Sequence, residues 1–166
     1  KAGELHLAGH VFESSKEGIL ITDAERRILA VNPAFTAISG YRAEEVVGKQ
    51  PDLLASGKHE PDFYRSMWQT IRETGSWSGE IWNQRRDGSV FPELLQITTV
   101  RSAGGEVLHY VGTFLDLTER KEAEDRIRQL AEFDPLTGLP NRSLLRDRMA
   151  QAMARAEREN RRVAAL

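Results

Sequence analysis

Cysteine is absent from all 166 residues. That removes disulfides, thiolate metal centres and cysteine nucleophiles together. Histidine is scarce, with only His6, His10, His59 and His109. Neither sign of charge dominates: 23 Lys and Arg against 25 Asp and Glu leave a net charge of −2. No basic surface is therefore expected, and no nucleic-acid partner. Long apolar runs are also missing. Stretches such as Gly18-Ile-Leu-Ile21 are far too short to cross a bilayer, so no direct membrane contact is expected. The N-terminal stretch is polar and lacks the apolar centre of a signal peptide, which makes the cytoplasm the expected compartment.

The residues that are present suit a globular fold. Apolar residues make up 40% and charged residues 29%, enough for a core with charge left over for exposed helices. Leu5, Ala8 and Phe12 at helical spacing predict a short leading helix. Two β-rich runs, 18–22 and 27–31, flank the polar turn Asp23-Ala-Glu-Arg26 and read as a hairpin. Asn32-Pro33 ends the second run, with Asn32 as the cap of the next helix. Short helical pieces fit "PAFTAISG" and "RAEEVVG", closed by Gly40 and Gly48. A longer helix fits "PDFYRSMWQTIRETG", with Phe63, Met67, Trp68 and Ile71 on one side and Gly75 as its stop.

Three strands come next, with turns at Asp87-Gly88 and Gly104-Gly105. The order of two strands, small helices, a long helix and three strands predicts an α+β fold: one five-stranded antiparallel sheet with helices on one face. Residues 118–133 then change texture. They are nearly all strong helix formers, with a narrow apolar stripe of Ala123, Ile127 and Leu130. That stripe suits pairing with a second copy; a solvated linker helix is the alternative. Asp116 and Glu119 have capping-box spacing. A further helix fits residues 141–162, with Leu145, Met149, Ala152, Met153 and Ala156 on one face, and "VAAL" reads as the start of a strand.

Residues 11–121 resemble a PAS sensory domain. "ITDAERRILAVNPAFTAISGYRAEEVVGK" is similar to that family's opening half and "GTFLDLTERKEAE" to its exit into an outgoing helix. Asp134-Pro-Leu-Thr-Gly-Leu-Pro-Asn-Arg142 resembles the start of a different family, the GGDEF domains, diguanylate cyclases that join two GTP into cyclic di-GMP. From the residues themselves this stretch reads as a tight turn, punctuated by Pro135 and Gly138, with Asn141 as cap of the next helix. The implied organisation is a PAS domain over 1–117, a signalling helix over 118–133, and the truncated start of a GGDEF domain over 134–166. The sequence stops at Leu166, where the first cyclase strand would begin. The metal-binding carboxylates and the Gly-Gly-Asp/Glu-Glu-Phe loop lie beyond it, so no enzyme activity is expected of this fragment. Ala103-Gly-Gly-Glu-Val107 is a false match to that loop and reads as a hairpin turn.

The resemblance raises the question of a cofactor. Light sensors of the LOV class carry a cysteine where this chain has Pro51, which excludes adduct photochemistry but not flavin binding. Haem needs an axial ligand, usually histidine. Tyr64 stands where haem PAS domains place theirs, and His59, next to Pro61, reads as solvated. Redox-sensing PAS domains that hold FAD are similar to this chain at Trp68, at Trp77-Ser-Gly79 and at Asn83-Gln-Arg-Arg-Asp87. Alternation puts Trp77, Gly79, Ile81 and Asn83 on one strand face and Phe91, Glu93, Leu95 and Ile97 on the neighbouring one. A carboxamide offers the donor and acceptor that match the uracil-like edge of a flavin, and aromatics offer flat apolar walls.

The candidate cofactor-binding residues are thus Trp68, Asn83, Glu93, Trp77 and Phe35, with FAD as the cofactor. Light-sensing flavin domains have a Gln where this chain has Phe114, so one hydrogen bond to the ring would be missing. The alternative stays open: Trp68 as plain core, Asn83 satisfying backbone groups, and a cofactor-free dimerisation module. The resemblance implies a homodimer through the N-terminal helix and the 118–133 helix. A kinase input domain would need a phosphoacceptor histidine after the linker, and none follows His109.

Overall fold

The computed structural model describes residues 1–159. The chain divides into two compact units, the first Lys1–Thr118 and the second beginning at Glu119. The first unit opens with helix α1 (Ala2–Ser14) and the hairpin β1 (Gly18–Thr22) and β2 (Ile28–Val31). Helices α2 (Pro33–Ser39), α3 (Ala43–Val46) and α4 (Pro61–Thr74) come next, with a 3-10 turn at Pro51–Leu54. Strands β3 (Ser76–Gln84), β4 (Val90–Arg101) and β5 (Val107–Asp116) complete one five-stranded antiparallel sheet in the order β2-β1-β5-β4-β3. This is the α+β arrangement expected from the element order.

Local chemistry explains the boundaries. The Asn32 side chain accepts from the Phe35 amide at 3.0 Å and the Ile19 amide at 2.8 Å, capping α2 while tying it to β1. Gly75 ends α4 at φ 84°, a backbone region that costs other residues roughly 1–2 kcal/mol. The Gly104-Gly105 turn links β4 to β5, with the Ser102 amide donating to the Glu106 carbonyl. Val107 belongs to β5, so the Gly-Gly-Glu stretch is a hairpin turn.

The core lies between the sheet's inner face and α2, α3 and α4. Ile28, Phe35, Val46, Leu54, Met67, Ile71, Ile81 and Phe114 are all buried there. The Phe114 ring lies so close over Gly18 that a Cβ there would fall 2.3 Å from it, so only glycine fits.

The second unit holds helix α5, which starts at Thr118 in the first unit and runs to Glu132, and helix α6 (Arg142–Glu159). Neither helix buries a residue. Between them the Phe133–Arg142 stretch folds as the tight turn expected. Phe133 bridges Pro140, Gly138 has φ 69°, and the Asp134 carboxylate accepts the Leu136 and Thr137 amides at 2.8 and 3.0 Å. Those amides hold Asp134 below the usual carboxylate range. Asn141 caps α6 through the Leu144 amide. The "VAAL" strand and residues 160–162 of the last helix lie outside the described residues.

The capping at the start of α5 departs from the expected spacing. Asp116 receives the Thr118 amide at 2.9 Å and the Thr118 hydroxyl at 2.6 Å on one oxygen. Its other oxygen pairs with Arg85 at 2.8 Å. A partner 31 residues away in sequence thus takes part in the cap.

Candidate functional site

A cavity of about 210 Å³ opens between the inner sheet face and the helices. Its walls are nearly all apolar: Leu20 from β1, Met67 and Trp68 from α4, Ile81 from β3, Leu95 and Ile97 from β4, and Phe114 from β5. Tyr64, Tyr110, Asn83 and Glu93 contribute the polar atoms of the interior. Arg26, Gln50, Pro51 and Asp52 come from the β1–β2 turn and the segment around the 3-10 turn.

Strand pairing brings the two central polar residues together. Asn83 faces Phe91 in register and Glu93 faces Ile81, so Asn83 and Glu93 are diagonal neighbours on one face. Asn83 Nδ2 donates to Glu93 Oε1 at 2.8 Å. Glu93 is 1% exposed and its Oε2 has no partner. Burial pushes its carboxyl up to about 8. The Asn83 bond and Arg85 oppose that rise, and the Asp116 charge, opposite Glu93 in register, adds to it. Glu93 is therefore mostly a neutral acid at pH 7.

Tyr64 supplies a second unpartnered polar atom, its buried hydroxyl. Burial raises its titration and the nearby Glu93 charge raises it further. Asp116 moves the other way. Burial alone would raise it, but Thr118 and Arg85 donate to it and hold it low. Arg85 also lies 4.0 Å over the Phe91 ring and donates to the Ile38 carbonyl.

Trp68 stands half-buried in the cavity wall, edge-on to Tyr110 with ring centres 5.3 Å apart, and the Arg26 guanidinium lies 4.8 Å over its ring. Trp68, Asn83 and Glu93 thus meet at one cavity. The other two candidate residues do not. Trp77 folds over Gly79 and meets Phe63 edge-on, outside the lining. Phe35 is fully buried against Phe114 and packs the core instead. His59 is not simply solvated: its Nε2 accepts the Trp82 amide at 2.8 Å and its ring stacks on Phe63 at 4.2 Å. Two further residues line the cavity that the sequence does not single out for a flavin. The helix alignment brings up Tyr64 only as the residue standing where haem domains carry their histidine, and Tyr110 carries no signal beyond its place in a strand.

The donor set discriminates between the two groups. None of the four histidines lines the cavity, and Tyr64 is held away from the phenolate that would bind iron. A flavin fits better. Aromatic and aliphatic walls suit a flat ring, and the Asn83 carboxamide with the Glu93 acid presents donors and an acceptor on one side. Phe114 stands where a carboxamide would add another bond, and Pro51 lines the wall without a nucleophile.

Residues 16–119 match the PAS domain family. A nitrogen fixation regulatory protein of Klebsiella oxytoca is 35% identical over 116 residues, 70% of this chain and 23% of its own. A bacterioopsin transcriptional activator of Halobacterium salinarum is 31% identical over 160 residues, 94% of this chain and 24% of its own. The chain thus spans about a quarter of the length of these curated relatives. A solved RNA-binding light-oxygen-voltage receptor superposes with a TM-score of 0.69 at 28% identity, covering 79% of this chain and 38% of that one. Among the described residues no helix is long and apolar enough to cross a membrane. With this match over most of the first unit, together with the sheet order and the inner-face cavity, the chain belongs to the PAS domain family.

Proposed function

We propose that this chain is the sensory part of a diguanylate cyclase, in which the PAS pocket holds FAD and reports its state through α5 to a GGDEF domain beginning at Asp134. One observation carries the ligand part: an amide–acid pair with an unpartnered oxygen, buried at the wall of an otherwise apolar cavity. The likeness to a light-oxygen-voltage receptor supports a flavin in that cavity, and the likeness to a nitrogen fixation regulatory protein supports a regulatory role for the domain. The Asp134–Arg142 turn and its caps support the output assignment, alongside its resemblance to a cyclase start.

In this reading Asn83, Glu93 and Tyr64 would hold the polar edge of the ring, and Trp68, Leu95 and Ile97 would flank it. When bound, FAD supplies electron-transfer chemistry to the site. Glu93 holds or releases a proton at Oε2. Any change in its charge is felt by Asp116, its register partner, and by Arg85. Asp116 in turn holds the Thr118 amide and hydroxyl where α5 begins, two positions after β5 ends. A shift in the Glu93 proton thus has a short polar route to the helix start. Two chains would pair through α1 and α5, whose apolar residues Leu5, Leu7, Val11, Ile127 and Leu130 are exposed. Because two GTP molecules must meet, the geometry of that helix pair would set the cyclase rate.

A second reading, a cofactor-free dimerisation module, is favoured by cavity size. About 210 Å³ is below the roughly 300–1,000 Å³ common for drug-sized ligand sites. An absorption spectrum of freshly purified protein, and of protein incubated with FAD and desalted, separates the two. A flavin band in the blue supports the sensor. A colourless protein that retains no FAD rejects it in favour of the module.

A further inference from the structure

Two buried polar atoms of cavity-lining residues have no partner, Glu93 Oε2 and Tyr64 Oη. An orphaned buried polar group is destabilising relative to a satisfied one. Both belong to residues that line the same space. What a ligand edge there must be depends on the Glu93 proton. As an acid, Glu93 offers a donor at Oε2 while Oε1 stays bound to Asn83. As an anion it offers only acceptors and would repel a carbonyl oxygen.

The charged and titratable groups around Glu93 favour the acid. From β5, Asp116 lies opposite in register. From the end of β3, Arg85 is the nearby cation, but its guanidinium is committed to Asp116 and to the Ile38 carbonyl. From α4, Tyr64 brings a neutral hydroxyl. Asp52 and Arg26 reach the cavity from the 3-10 turn and the β1–β2 turn. Among the described residues no cation at the cavity is left to compensate a Glu93 carboxylate: Arg85 is engaged elsewhere, and Arg26 lies over Trp68.

We propose that Glu93 binds in its acid form as the donor to a carbonyl on the ligand, so that the pocket takes up a neutral, planar, carbonyl-bearing ring only together with that proton. The inference rests on the flavin reading for its ligand class and adds a proton linkage to it. A flavin ring, with two carbonyls flanking an N–H, would find donors in Glu93 and Tyr64 and an acceptor in the Asn83 oxygen. A ligand offering a cation or only donors at this edge would be refused at neutral pH.

The test is FAD binding to the intact protein between pH 6 and 9, read by fluorescence quenching, with circular dichroism confirming the fold at each pH. The apparent dissociation constant should rise about tenfold between pH 7 and pH 9 as Glu93 ionises in the free protein. Glu93→Gln keeps a donor without a titrating proton, so its binding should persist and be flat across the range. Flat binding by the unchanged protein overturns the linkage and leaves the flavin reading intact. The same slope in Glu93→Gln also overturns it, since another group would then be titrating. No FAD uptake at pH 6 overturns the flavin reading and the linkage with it. If Glu93→Gln does not fold, the slope of the unchanged protein decides alone.

Discussion

Helices α4 and α5 are nearly equal in length, 14 and 15 residues, yet they solve opposite problems. α4 buries Met67 and Ile71 against the sheet and lends Tyr64 and Trp68 to the cavity. α5 buries nothing: Ile127 is 67% exposed and Leu130 69%. An apolar face satisfied within its own unit makes a wall. In the proposed function the open stripe of α5 is the joint to a second copy. The same physical quantity, apolar surface, is covered inside the chain in one helix and left open in the other.

The largest effect should come from breaking α4's side. Ile71→Ala leaves a void in the core and should cost about 2–5 kcal/mol in denaturant unfolding of the first unit. Next comes the buried acid. Because Glu93 is raised to about 8 from 4.5, its contribution to stability is complete below about pH 4.5 and declines as pH rises to about 8. Glu93→Gln should therefore gain on the unchanged protein over that window, by on the order of 4 kcal/mol at pH 8. A constant gap in unfolding free energy from pH 5 to 8 would contradict the burial argument.

A smaller effect is expected at Asp116. Its depressed carboxyl stabilises the fold above the ordinary Asp value near 3.8, and this is lost as pH falls through the lower folded value. Asp116→Asn should cost about 1 kcal/mol at pH 7, reduced from a fully buried pair by partial exposure, and almost nothing once Asp116 is protonated. Smallest in stability is the other side of the comparison. Ile127→Asp with Leu130→Asp should leave first-unit unfolding within about 0.5 kcal/mol. In sedimentation the same pair should convert a dimer to a monomer; an unchanged dimer would break the contrast between the helices.

The frame of the sheet is legible in the sequence because its signals are local. Alternation, turn glycines and the Asn32 cap act over a few residues. Alternation likewise puts Asn83 and Glu93 on facing strands. It fails at Trp77 because a shared face does not fix position along the strand: six residues before Asn83, its ring ends over Gly79. Phe35 sits on the right side of α2 but is taken by Phe114. His59 and Asp116 find partners at Trp82 and Arg85, 23 and 31 residues away, which spacing rules cannot see. The orphan oxygen of Glu93 is likewise a property of the packed pocket, since it depends on which neighbours Arg85 has already engaged.

The proposed route from pocket to helix can be read at one amide. Thr118 N–H donates to Asp116 Oδ1 at 2.9 Å, at the first residue of α5. At pH 9, where Glu93 is largely ionised in the free protein and its acid form is the one proposed to bind, hydrogen exchange of that amide should change on addition of saturating FAD, and Asp116→Asn should abolish the change. Bound FAD that alters exchange along β3 and β4 while leaving Thr118 and the first turn of α5 untouched would contradict the account.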